Sequence, residues 1–208
     1  MPVKRERPLT PAAPQVTTRD RLLVATMQLL ARQGLAGTGI KQILEQADAQ
    51  FSSLYHHFPG GKEELAAEAL RAAGAHYQGL VEAVWDDGVN VVRSIRAVFE
   101  GAAQALVDSG YEDVCPIGTV ATEVANTNEN LRTAVAEIYG SWVASAQKRL
   151  REAGLSRRHA EKMALTIVTL LEGAFVLCRA TQSTDAMVIS GEMAVRLVKD
   201  ALPATCGG

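Results

Sequence analysis

The chain has 208 residues, 48% of them hydrophobic, which is enough apolar surface to bury a core and too much for a disordered whole. Twenty-one basic against 23 acidic residues leave a formal charge of −2, which excludes a protein that grips polyanions by bulk charge, so any nucleic-acid contact must be local. Aromatics are scarce at 5% and no strand-like alternation recurs, so an all-α fold is predicted.

Charge is unevenly placed. Residues 1–62 hold eight basic against four acidic side chains, a net +4, and the remainder is net −6. A basic front and an acidic back suggest a small polyanion-facing unit joined to a larger body with another task. Residues 1–16 contain four prolines and no periodicity, and are expected to be a disordered basic tail. Prolines stand where a signal peptide has its apolar segment, so a cytoplasmic location is expected. Cys115, Cys178 and Cys206 form no Cys-x-x-Cys pair, which predicts neither a zinc site nor a disulfide framework.

Thr17-Thr18-Arg19-Asp20 has the spacing of a capping box, so a first helix starts there, and Gly34 is placed to close it. Thr38 is expected to cap a second, short helix whose Ile40, Ile43, Leu44 and Ala47 share a face. Asp48 tolerates a positive φ and suits the tight turn that follows. Leu54 and Phe58 then anchor a third short helix, completing a helix-turn-helix pattern. Its other face offers Ser52, Ser53, Tyr55, His56 and His57, groups suited to phosphate and base-edge hydrogen bonds in a major groove. A long fourth helix begins at Lys62-Glu63-Glu64-Leu65 and runs toward Trp85.

From Gly88 the text remains helical. Val91, Ile95, Val98, Ala102 and Leu106 make one apolar stripe, and Leu131, Val135, Ile138, Trp142 and Ala146 another. Gly154-Leu155-Ser156 reads as a stop followed by a start. Met163 to Cys178 is apolar, but it is shorter than the roughly 20 residues of a membrane span and contains Glu172, so it is expected to be buried in protein, with no membrane partner. A last helix follows Ser183-Thr184 and ends at Pro203, for nine helices in all. Gly173 and Gly191 make the last two helices candidates for a dimeric four-helix bundle.

The run from Gly34 to Leu65, with Ile43, Ala47, Leu54-Tyr55-His56-His57-Phe58 and Lys62-Glu63-Glu64-Leu65, resembles the DNA-binding domain of the TetR family of bacterial transcriptional regulators. Cys115-Pro116-Ile117-Gly118-Thr119 and Leu171-Glu172-Gly173-Ala174, with Arg179-Ala180, resemble the C-terminal domain of its LmrA/YxaF-like subgroup. The resemblance implies a helix-turn-helix domain over residues 17–65 and a helical effector-binding and dimerisation domain over 66–203. It further implies a homodimeric repressor that leaves its operator DNA when a small hydrophobic effector, often aromatic, binds. Tyr55 and His56 would then contact the groove, with Ser53 on the same side and His57 nearer the backbone. Thr38, through its hydroxyl, and Lys62, by charge, would hold phosphates. Gln50 stands where the family commonly has a serine that caps the recognition helix and touches a phosphate, and the Pro59-Gly60-Gly61 spacer is one residue longer than the commonest form.

For the effector, the candidates are Phe99, Cys115, Tyr139, Trp142, Glu172, Phe175 and Arg179, with Trp85 as further aromatic surface. Glu172 and Arg179, seven apart on an apolar helix, share a face and must each find a partner. Cys115 precedes Pro116 at a helix start, where the dipole favours the thiolate. Cys178 reads as a small buried hydrophobe. His56 and His57 point about 100° apart, so no metal is expected, nor any cofactor. The alternative from another class, a helical enzyme or carrier for apolar molecules without DNA binding, has no Ser-His-acid set, phosphate loop or metal spacing behind it, and a non-enzyme is expected.

Overall fold

Thr17 opens the first helix in the way its spacing from Asp20 predicts. Its hydroxyl accepts from the Asp20 amide at 3.1 Å, and the Asp20 carboxylate accepts from the Thr17 amide at 3.1 Å, so two free donors of the helix start are satisfied at once. The structure, a computed structural model, describes residues 16–86 and 90–203. Cys206 and all but the last residue of the expected tail lie outside these. Among the described residues the protein is all-α, with nine helices: α1 (Thr18–Gly37), α2 (Ile40–Gln46), α3 (Phe51–His57), α4 (Gly61–Asp86), α5 (Val91–Asp108), α6 (Pro116–Val124), α7 (Glu129–Glu152), α8 (Arg157–Thr181) and α9 (Asp185–Ala201).

The front of the chain packs around Leu22, Ile43, Leu54, Phe58 and Leu65, all without solvent exposure. Helices as short as α2 and α3 are marginal alone, and this shared core holds them. Asp48, at φ 46°, makes the turn between them. Arg21 donates from its guanidinium to the carbonyls of Ala47 and Asp48, at 2.9 and 3.1 Å, closing the end of α2.

Two local expectations are corrected here. Thr38 does not cap α2: Gly39 holds that place, with the Gln42 side chain accepting from its amide at 2.9 Å. Thr38 is instead buried and donates its hydroxyl to the Gly34 carbonyl at 2.6 Å. Gly34 does take a left-handed φ of 70°, but it breaks α1 without ending it, and a last turn continues to Gly37. A break of this kind frees carbonyls before it and amides after it.

α4 contributes Leu65 and Ala69 to the front core and Ala66, Leu70 and Ala73 to a second core with α1, α6 and α7. A third core joins α5, α8 and α9 with part of α7. Gly154 at φ 103° ends the α7 segment, and the Ser156 hydroxyl accepts from the His159 amide at 3.4 Å to begin α8.

α8 has the length and mean hydropathy, 1.7 over its best window, of a membrane span. Its apolar character nevertheless divides into two faces. Ala160, Ala164, Ile167, Ala174 and Cys178 are buried against neighbouring helices, while Leu165, Val176 and Leu177 are exposed, so the expectation of a wholly buried helix holds for one face only. Gly191 does not lie open for a partner. A Cβ there would fall 2.8 Å from the Phe99 Cβ, so this glycine lets α9 approach α5 within the chain.

Candidate functional site

The short helix α3 divides cleanly into two sides. Leu54 and the Phe58 that follows the helix are fully buried, while Gln50, Ser52, Tyr55 and His56 are exposed and Ser53 and His57 half-buried. The Tyr55 ring rests beside Gly61, where a Cβ would lie 3.4 Å from Cε1, and beside Phe51, with ring centroids 5.2 Å apart. Both contacts limit the rotamers of Tyr55, so it is presented with little further loss of side-chain entropy.

Among the described residues, the cations of the front unit are mostly engaged within the protein. Arg19 pairs with Glu68 and lies over the Phe58 ring, 5.4 Å from its centroid, and Arg32 pairs with Asp113 at 2.7 Å. Lys62, expected at a phosphate, donates from Nζ to the Leu35 carbonyl at 2.7 Å. The buried Thr38 hydroxyl likewise faces the protein. Lys41 is different, with a side chain 91% exposed and only a 3.8 Å contact to Glu45.

The second group of candidates does gather. Cys115 at the start of α6, Tyr139 and Trp142 on α7, and Phe175 on α8 belong to one core. The Glu172 carboxylate enters it from α8 and accepts from the Tyr139 hydroxyl at 3.1 Å. Gly118 makes this possible, because a Cβ there would collide with Glu172 Oε2. The Trp142 ring stands edge-on to Tyr139, its Nε1 donating to the Gly74 carbonyl at 3.0 Å.

Burial sets the protonation of this cluster. It raises Glu172 above the ordinary carboxylate value of 4.5, partly opposed by hydrogen bonds from Cys115 and Tyr139. It raises Tyr139, helped by the nearby Glu172 charge, and Tyr77 of α4 is pushed up to about 12 by burial and by the charges of Cys115, Asp113 and Glu172. The Cys115 thiol, expected to ionise readily at a helix start, is pushed well above its ordinary value by burial and then by the Glu172 charge. The helix start is present, but desolvation outweighs its dipole. The cluster is therefore built for hydrogen bonding and not for nucleophilic chemistry.

The raised Glu172 value has a consequence for stability. The folded state holds this proton more tightly than the unfolded state, so the contribution is full below pH 4.5 and is lost as pH rises through the raised folded value. Glu172→Gln is expected to leave the melting temperature unchanged near pH 4.5 and to raise it at pH 8. Scanning calorimetry at the two pH values checks this; a lower melting temperature for the variant at pH 8 would mean that the carboxylate is net stabilising.

Phe99 and Arg179 lie elsewhere. Phe99 belongs to the third core and lines an open groove of about 380 Å³ between α5 and α9, with Arg96, Val188, Gly191 and Glu192. Arg179 reaches α1, donating to the carbonyls of Ala31, at 3.4 Å, and Arg32. Its guanidinium is thus committed to the break in α1. The amides beyond that break are held by a residue not singled out from sequence: Glu123 of α6 accepts from Leu35 and Ala36 at 3.0 and 2.8 Å. An exposed-looking glutamate in a helix carries no sequence signal for such a role, and neither does Tyr77. Among the described residues, no group of three or more His, Cys, Asp or Glu side chains is placed to hold a metal.

Comparison with known proteins agrees with this arrangement. Residues 22–69 match the family described as bacterial regulatory proteins, tetR family, and residues 91–193 match the transcriptional regulator LmrA/YxaF-like C-terminal domain. The HTH-type transcriptional regulator LmrA of Bacillus subtilis (strain 168) is 31% identical over 176 residues, covering 83% of this chain and 93% of LmrA. The chain belongs to the TetR family of transcriptional regulators. YxaF of the same organism is 29% identical over 182 residues, covering 88% of this chain and 95% of its own. The fold is shared with the crystal structure of regulatory protein TetR from Rhodobacter sphaeroides, at a TM-score of 0.80 and 20% identity, covering 86% of this chain and 98% of that one. TetR-family regulators are DNA-binding proteins without enzymatic activity, and generally act as ligand-responsive repressors that bind operator DNA as dimers.

Proposed function

We propose that this chain is a homodimeric repressor of the LmrA/YxaF-like subgroup, placing two copies of α3 in successive major grooves of a pseudo-palindromic operator and released by a small hydrophobic effector. The observation that carries the reading is the polarity of α3: Leu54 and Phe58 are buried on one side, and Gln50, Ser52, Tyr55 and His56 are exposed on the other. These groups, with Ser53, choose the sequence, and His57 lies nearer the backbone. The reading head ends near residue 65, and the body follows over 66–203.

The effector binds where α6, α7 and α8 bring Glu172, Tyr139 and Cys115 beside Trp142 and Phe175. Its flat apolar part stacks on the rings, and a hydroxyl or amine on it donates to Glu172. Displacing the bonds around Glu172 shifts α6, whose other end carries Glu123. The break in α1 is then held differently, and the spacing of the two heads changes. Dimerisation uses the exposed stripe of Leu165, Gly173 and Val176 on α8 together with Ile189, Met193 and Leu197 on α9, an apolar surface that suits a four-helix interface.

The test is fluorescence anisotropy with duplex DNA from upstream of the chain's own gene, with and without a panel of aromatic compounds. Tyr55→Ala is expected to weaken binding at least tenfold, about 1.4 kcal/mol, without altering the melting temperature. A protein that is monomeric by sedimentation and binds no promoter fragment at low ionic strength overturns the proposal.

A further inference from the structure

Phe51 is a large apolar side chain that the front core leaves exposed. It begins α3, is 59% exposed, and takes no part in the core built from Leu22, Ile43, Leu54 and Phe58. The residues on either side of it in the chain, Gln50 and Ser52, are exposed and polar. Tyr55, one turn on, packs against the Phe51 ring at a centroid distance of 5.2 Å and an interplanar angle of 48°. Tyr55 is in turn backed by Gly61. The outcome is a small aromatic patch among the exposed polar side chains of α3.

A phenyl ring neither donates nor accepts a hydrogen bond, so it cannot read the donor and acceptor pattern of a base edge. The major groove offers it one apolar group, the C5-methyl of thymine. We propose that Phe51, held by Tyr55, reads a thymine methyl in each operator half-site and so is a specificity-determining residue of α3. The inference rests on the DNA-reading function above. It adds a residue outside the hydrogen-bonding set and commits it to one chemical group. Burying a methyl is worth about fourfold in affinity, so two symmetric half-sites give about 15-fold.

The experiment uses the full chain. An operator is selected from a randomised duplex pool, and its thymines are then replaced by deoxyuridine, one symmetric pair at a time, which removes only the methyl. The wild type is expected to lose about 15-fold in affinity at one such pair and little at the others. Phe51→Ala is expected to bind the thymine and uracil operators equally, while Phe51→Leu, still apolar, keeps part of the preference. Circular dichroism and melting temperature confirm that both variants are folded, as a residue outside the core predicts. Indifference of the wild type to uracil at every position overturns the inference, as does discrimination that survives in Phe51→Ala, which would assign the methyl to another residue. A pool that enriches no sequence overturns the DNA-reading function, and this inference with it.

Discussion

Gly34→Ala is expected to destabilise the protein by about 3 kcal/mol, a drop of roughly 10 °C in melting temperature for a chain of this size. Two costs combine. The glycine sits at φ 70°, ψ −173°, a region closed to residues with a side chain, and holding alanine there costs about 1–3 kcal/mol. The new Cβ would also collide with the Glu123 carboxylate, which must swing away and leave the Leu35 and Ala36 amides without their acceptor. Losing a side-chain cap of this kind costs about 1–2 kcal/mol. Glu123→Ala isolates the second cost, and Gly34→Ala made in that background should show the backbone strain alone. Calorimetry on the two single variants and the double variant measures the coupling. A melting temperature for Gly34→Ala within 2 °C of the wild type would mean that the break in α1 is not under this constraint. Because Glu123 belongs to α6, the same variant is also expected to weaken operator binding by disturbing how the head is seated on the body.

Phe58→Ala should be more damaging still, at about 3–5 kcal/mol. The ring is fully buried, touches the core from the end of α3, and has the Arg19 guanidinium 5.4 Å from its centroid. Its loss leaves a cavity beneath Leu54, and domains of this kind have only about 5–15 kcal/mol in hand. Operator binding is expected to vanish because the head is no longer assembled. Tyr55→Ala, three residues earlier, should weaken binding at least tenfold with its melting temperature intact. Denaturation and anisotropy on the same two preparations separate the roles, and wild-type operator affinity in Phe58→Ala would show that α3 does not depend on this core.

The caps and turns are legible in the chain because their chemistry is local. The Thr17–Asp20 box, the positive φ of Asp48 and the Gly154–Ser156 stop and start each involve residues a few positions apart. The two sides of α3 follow from helical periodicity in the same way. Thr38 shows the limit: its residue type suits a cap, and only packing reveals that it is buried and that Gly39 takes the place.

Partners and protonation lie beyond that reach. Tyr139 and Glu172 are 33 residues apart, and Arg179 meets the Ala31 carbonyl across 148. A helix start next to Cys115 argues for an acidic thiol, yet burial beside Glu172 drives it the other way. Helix boundaries and faces depend on interactions within about four residues, which composition and spacing encode directly. Desolvation and the pairing of charges depend on which helices meet, so the cluster of Glu172, Tyr139 and Cys115 and the joint at Gly34 come into being only when α1, α6, α7 and α8 pack together.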